Sequence, residues 1–193
     1  MEIENRSVND LKKILYDDDW GKTASDFTVY RVRRGIKYKD GLRYDETVLS
    51  PRPLGKEFPK TKGHEHPREC VELIFVIRGQ ALFLLQKDEG KIVKDVYFIE
   101  AKKGQAIISP SGFSHITINP TDKELKIGTW VQDVCPSSYE TIKTLKGAGY
   151  YYTLSGWQKN KNYSRVPKLK EKKPLQAIPR NLDFLAGGCC CQN

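Results

Sequence analysis

Between residues 27 and 133 the chain is cut into short runs of β-forming residues, and glycine, proline or aspartate marks most of the breaks. FTVYRVRR (27–34) alternates with the period of a strand that buries one face. ETVLS (46–50), KIVKDVYFIE (91–100), QAIISP (105–110), SHITIN (114–119) and ELKIGTWVQD (124–133) continue the pattern. VELIFVIRG and QALFLLQKDEG (71–90) read as a hairpin about Arg78-Gly79, with a second turn at Asp88-Glu89-Gly90. Many short strands at close spacing predict a mainly β antiparallel sandwich or barrel.

Helical periodicity is confined to the flanks. SVNDLKKILYDDDW (7–20) places Val8, Leu11, Ile14, Leu15 and Trp20 at amphipathic spacing, with Ser7 or Asn9 as cap. PSSYETIKTLKGAG (136–149) predicts one helix capped by Ser137 or Ser138 and stopped at Gly147, and YYYTLSGW (150–157) a last strand.

At 193 residues the chain has room for one domain and a tail. The net charge of +9 suggests nucleic acid until it is located. Residues 159–180 alone carry +7, whereas residues 1–158 carry only +3. The division is therefore a domain over 1–158, including an N-terminal arm, and a basic Pro/Lys-rich tail over 159–193. Such composition predicts an extended or disordered segment, expected to be solvated, with contact to RNA, DNA or an acidic partner left open as the alternative. No run approaches the ~18 apolar residues of a membrane span, and the polar start MEIENRSVNDLKK is unlike a signal peptide. A cytoplasmic protein is expected. Five cysteines agree: Cys70 and Cys135 stand alone, and Cys189, Cys190 and Cys191 cluster at the end, which is no disulfide framework.

The chain has three histidines, and their placement carries the chemistry. His64 and His66 are two apart on an extended segment, so both rings aim to one side. Glu72 follows beyond a turn at Pro67-Arg68, and His115 opens a later strand. Three imidazoles and a carboxylate form a mixed N/O donor set suited to Fe, Mn, Co, Ni or Zn. Glu65 and Glu69 are competing carboxylates nearby.

These residues fall into two linked patterns. H-x-H-x5-E-x6-G (His64, His66, Glu72, Gly79) precedes G-x5-P-x-G-x2-H-x3-N (Gly104, Pro110, Gly112, His115, Asn119). Together they resemble the two cupin motifs, although the first lacks its leading glycine and has a longer loop before Glu72. The resemblance implies a cupin barrel (double-stranded β-helix or jelly roll) with one or two short helices.

The stretch TVLSPRPLGKEFPKTKGHEH, followed by VELIFVIRGQALFLLQ, is similar more narrowly to the cupin-type phosphoglucose isomerases of archaea and some bacteria. That likeness runs from about residue 7 to residue 150. It implies that His64, His66, Glu72 and His115 hold one divalent metal, with Fe²⁺ expected ahead of Mn²⁺, Zn²⁺ or Ni²⁺. It also implies that Thr47, Thr61 and Gly63 bind a sugar phosphate and that Glu72 is the catalytic carboxylate. Implied too are interconversion of glucose 6-phosphate and fructose 6-phosphate in glycolysis or gluconeogenesis, and a homodimer. The chain departs from the family at Ile74, Val131 and Ser137, where tyrosine, tyrosine and histidine are usual; Tyr139 lies close to the last. Another metal-dependent cupin enzyme, or a sugar-binding cupin without turnover, is the competing expectation.

Overall fold

Two sheets face one another across an apolar interior. The computed structural model describes residues 1–66 and 69–186. Strands β1 (Glu2–Ser7), β2 (Thr28–Lys39), β3 (Leu42–Leu49), β10 (Leu125–Gln132), β5 (Glu72–Arg78) and β8 (Ala106–Ser109) make a six-stranded sheet in that spatial order. The opposing five-stranded sheet runs β13 (Lys170–Lys172), β7 (Ile92–Lys102), β6 (Gln80–Glu89), β9 (Ser114–Ile118) and β4 (His64–Glu65). A separate hairpin pairs β11 (Tyr150–Thr153) with β12 (Gly156–Lys159). Phe83, Leu85, Ile74, Val76, Ile107 and Leu125 are among the side chains buried in the interior. The fold is the expected mainly β barrel with a few short helices: α1 (Val8–Leu11), α2 (Asp18–Thr23), α3 (Glu140–Thr144) and α4 (Asp183–Ala186).

The turn at Arg78-Gly79 is not a hairpin. β5 pairs with β10 and β8, and β6 pairs with β7 and β9, so the chain crosses here from one sheet to the other. Gly79 has φ 88°, and a Cβ on it would stand 3.2 Å from the Glu124 carbonyl. A corner between sheets therefore needs glycine as much as a hairpin would. The turn that does close a hairpin is at Gly90, between β6 and β7.

Both predicted helices are shorter than their patterns. The first begins after a strand, because residues 2–7 pair with β2 along the sheet edge. It then breaks into α1, a 3-10 turn at Lys12–Ile14, and α2. In the second, only Glu140–Thr144 is helical, since Glu65 pairs with Ser138 in both directions, at 2.9 and 2.8 Å. Tyr139 rather than a serine is its cap, and Gly147 reaches back to the Ile142 carbonyl.

Two readings of composition are corrected. Cys70 and Cys135 are joined in a disulfide, with Cα atoms 6.1 Å apart. They are 65 residues apart in sequence, but β5 and β10 are antiparallel neighbours, with Leu73 opposite Trp130. The residues before β5 and after β10 therefore meet at one edge. The basic segment is also not a free extension. Tyr163 and Asn160 are buried, β13 pairs with β7, and Leu175 bonds back to Ala106. Leu185 of α4 is buried against Leu42, Leu73 and Phe75. The lysines of β13 are exposed, so charge and docking coexist on one strand. The Pro67-Arg68 turn and Cys189 to Cys191 lie outside the described residues.

Candidate metal centre

The four donors come from both sheets. His64 on β4 lies directly opposite His115 on β9. Glu72 opens β5 in the other sheet and pairs with Ser109 of β8. Their ligand atoms all lie within 4.8 Å of one another. Glu72 Oε2 is 3.0 Å from His66 Nε2 and 3.0 Å from His115 Nε2, and the Nε2 atoms of His64 and His66 are 3.2 Å apart. His66, Glu72 and His115 are buried, and His64 is partly open to the pocket.

The far side of two rings is fixed. His66 Nδ1 donates to the Pro136 carbonyl at 2.9 Å. A carbonyl only accepts, so in the neutral ring the Nε2 lone pair points to the centre. His115 Nδ1 meets the Ser109 hydroxyl at 3.0 Å. Outer partners of this kind orient metal-binding imidazoles.

The local electrostatics follow from that geometry. Burial, then the neighbouring His115, holds His64 well below the usual histidine range. Burial opposes ionisation of Glu72, but His115 and His66 outweigh it and hold the carboxyl well below its ordinary value. For His66, burial is outweighed by Glu72 and the Pro136 carbonyl, and its pKa is raised. Three nitrogens and a carboxylate turned on one point are what a divalent cation stabilises. The residues present fit one.

The pocket around this centre is also lined by Thr47, Thr61 and Gly63. Thr61 and Thr117 are tied in both directions: the Thr61 N–H donates to the Thr117 carbonyl at 2.8 Å, and the Thr117 N–H to Thr61 Oγ1 at 3.0 Å. Gly63 sits at φ 77° against β9, and a Cβ there would come 2.4 Å from Ile116. All seven anticipated site residues therefore face one cavity. Ile74, Val131, Ser137 and Tyr139 line it too, and the Tyr139 ring stands 5.7 Å from that of His64.

The reading of the sequence missed other residues that line the pocket, among them Arg6, Tyr30, Arg34 and Asp45, with Arg34 held between Glu4 at 3.3 Å and Asp45 at 3.5 Å. The signal for Arg34 was present, since strand alternation puts Tyr30, Val32 and Arg34 on one face. Arg6 gave none, because residues 2–7, which form β1, carry no apolar alternation that marks them as a strand.

A mainly β sandwich of this topology, with three histidines and a glutamate converging inside it, defines a cupin-class protein with a candidate metal centre. The profile of the glucose-6-phosphate isomerase family matches residues 5–168, and the chain belongs to that family. A glucose-6-phosphate isomerase of Thermococcus litoralis is 34% identical over 125 residues, covering 61% of this chain and 63% of that protein. The enzyme of Pyrococcus furiosus is 35% identical over 98 residues, covering 50% and 49%. The chain thus spans less than two thirds of the length of these relatives. Among solved structures, oxalate oxidase in complex with glycolate is 17% identical with a TM-score of 0.44, covering 54% of this chain and 51% of that one. That likeness is too slight to bear on chemistry.

Proposed function

We propose that the chain is a metal-dependent glucose-6-phosphate isomerase that interconverts glucose 6-phosphate and fructose 6-phosphate. The observation that carries this reading is the convergence of His64, His66, Glu72 and His115 in a cavity shared with Thr47, Thr61 and Gly63. His64, His66 and His115 through Nε2, and Glu72 through Oε2, would hold one divalent ion, Fe²⁺ ahead of Mn²⁺, Zn²⁺ or Ni²⁺. When bound, the ion supplies Lewis acidity toward the carbonyl and hydroxyl oxygens of the sugar.

The remaining work falls to the chain. Thr47 and Thr61 offer hydroxyls, and Gly63 a backbone N–H, to the phosphate oxygens. Glu72 is the carboxylate proposed to carry a proton between C2 and C1. Isomerisation in D2O tests it: deuterium entering C1 of the product supports the transfer, and full retention of the substrate hydrogen leaves Glu72 as a ligand only.

Sugar phosphates are metabolites of the cell interior, so we place the chain in the cytoplasm. We propose a homodimer, with β1, the outer strand of its sheet, as the contact. Analytical ultracentrifugation giving a monomer at micromolar concentration would overturn that. The deciding experiment for function is isomerisation of fructose 6-phosphate by purified protein after chelation, and again with Mn²⁺ or Fe²⁺ restored. Activity that vanishes and returns supports the reading. A metal-loaded protein without turnover would point instead to a different substrate, set by Ile74, Val131 and Ser137.

A further inference from the structure

We propose that the Cys70–Cys135 bridge positions His66 at the four-donor centre, so that the centre holds its metal more tightly when the bridge is closed than when it is reduced. The proposal rests on the reading of that centre as a metal site.

The argument is one of connectivity. Cys70 lies between two of the donors, four residues after His66 and two before Glu72. Cys135 immediately precedes Pro136, whose carbonyl takes the Nδ1 proton of His66 at 2.9 Å. The bridge therefore closes a short circuit: Glu72 to Cys70 along the chain, across the sulfurs to Cys135, on to Pro136, and back through a hydrogen bond to His66. The same segment is held on its far side by the Glu65–Ser138 pair, and it contributes Ser137 and Tyr139, on either side of Ser138, to the pocket wall.

Through Cys70 the bridge anchors the start of the run that leads into Glu72. It adds to two hydrogen bonds already there, from the Gly112 N–H to the His66 carbonyl at 3.2 Å and from the Glu69 N–H to Ser111 Oγ at 2.9 Å, and it lies in a small buried cluster of Cys70, Val131 and Cys135 apart from the main core. Opening the bridge frees one end of the segment that sets the ring orientation of His66. Loss of an outer partner of a metal-bound histidine typically costs 10–100-fold in affinity.

The chemistry needs an external two-electron reductant: a phosphine with water in the test below, which leaves as the phosphine oxide, and otherwise a dithiol of the small-molecule or oxidoreductase class. The dithiol's thiolate attacks one sulfur, the Cys70–Cys135 bond breaks, and a mixed disulfide forms while the other cysteine takes up a proton. The second thiol of the reductant then displaces the first cysteine as a thiol and closes its own disulfide. Two electrons and two protons pass to the protein, and the dithiol is oxidised by the same two. Both cysteines are nearly buried, at 8% and 7% exposure, so access of the reductant to the sulfurs limits the exchange. By linkage, a bound metal must protect the bridge by the same factor as the bridge retains the metal.

The test uses the full chain carrying C189S, C190S and C191S, so that no other thiol competes for metal. Mn²⁺-loaded protein is challenged with excess EDTA, and residual metal is measured by mass spectrometry over time. The bridged form, the form reduced with a phosphine and desalted, and a C70A/C135A variant are compared. We expect both unbridged forms to release metal at least tenfold faster, and reoxidation of the reduced form to restore slow release. The reduced form needs no mutation, so a misfolded variant would not decide the matter. Equal release rates from bridged and reduced protein would overturn the proposal while leaving the metal centre intact. Failure of every form, the bridged one included, to bind about one equivalent of Mn²⁺ would overturn the metal reading, and this inference with it.

Discussion

Gly63 shows how much of the site depends on single residues. Its φ of 77° and its approach to Ile116 leave no room for a side chain on the segment that delivers His64. Gly63→Ala is expected to destabilise the protein by about 1–3 kcal/mol, the usual cost of a strained backbone position. It should also weaken metal binding; urea denaturation and metal titration read the two effects. Ser109 acts at one remove. Ser109→Ala removes the hydroxyl at His115 Nδ1 and should lower metal affinity about 10–100-fold with little change in the fold. Isothermal titration with Mn²⁺ checks this, and unchanged affinity would assign the orientation of His115 to packing alone. At this scale the sequence was most legible. A histidine count of three, all within two motifs, pointed to the three imidazoles that meet in the structure, whereas Glu72 was distinguished from Glu65 and Glu69 only by the family resemblance.

Among elements, strands were easier to recognise than their partners. FTVYRVRR, KIVKDVYFIE and SHITIN fall within or close to observed strands, because alternation is a local property. The β5–β6 corner was misread because a glycine turn between apolar runs looks the same whether the next strand stays in its sheet or leaves it. The segment beyond residue 158 was misread because its lysines dominate composition, while a few side chains do the docking. Asn160 donates from Nδ2 to the Leu145 and Ala148 carbonyls at 2.8 and 2.9 Å, and Leu185 is fully buried. Leu185→Ala should cost about 2–5 kcal/mol, as for other large-to-small core changes. A thermal melt shows whether α4 is part of the cooperative unit: a melting temperature within a degree of the parent would mean that it is not.

Across the whole molecule, burial of tyrosine sets a limit on the alkaline side. Burial pushes Tyr30 up to about 12, and burial together with Asp95 does the same for Tyr97. Tyr44, Tyr151 and Tyr163 are raised further, again chiefly by burial. In the unfolded chain these phenols ionise near pH 10. Above that pH the unfolded state releases protons that the folded state retains, so stability falls as pH rises from about 10 to 12. Phenolate absorbance should therefore lag for these five and appear with loss of circular dichroism. Complete ionisation near pH 10 in a protein that is still folded would contradict this.

The sequence by itself determined the mainly β class of fold and which three histidines could act as candidate donors, since strand alternation and residue type are written residue by residue. Only the tertiary structure decided which strands share a sheet, that Cys70 meets Cys135, that Arg6 and Arg34 line the pocket, and that a basic segment lies ordered along the barrel. Each of these depends on contacts between residues far apart in the chain, and no local pattern encodes the pairing that brings them together.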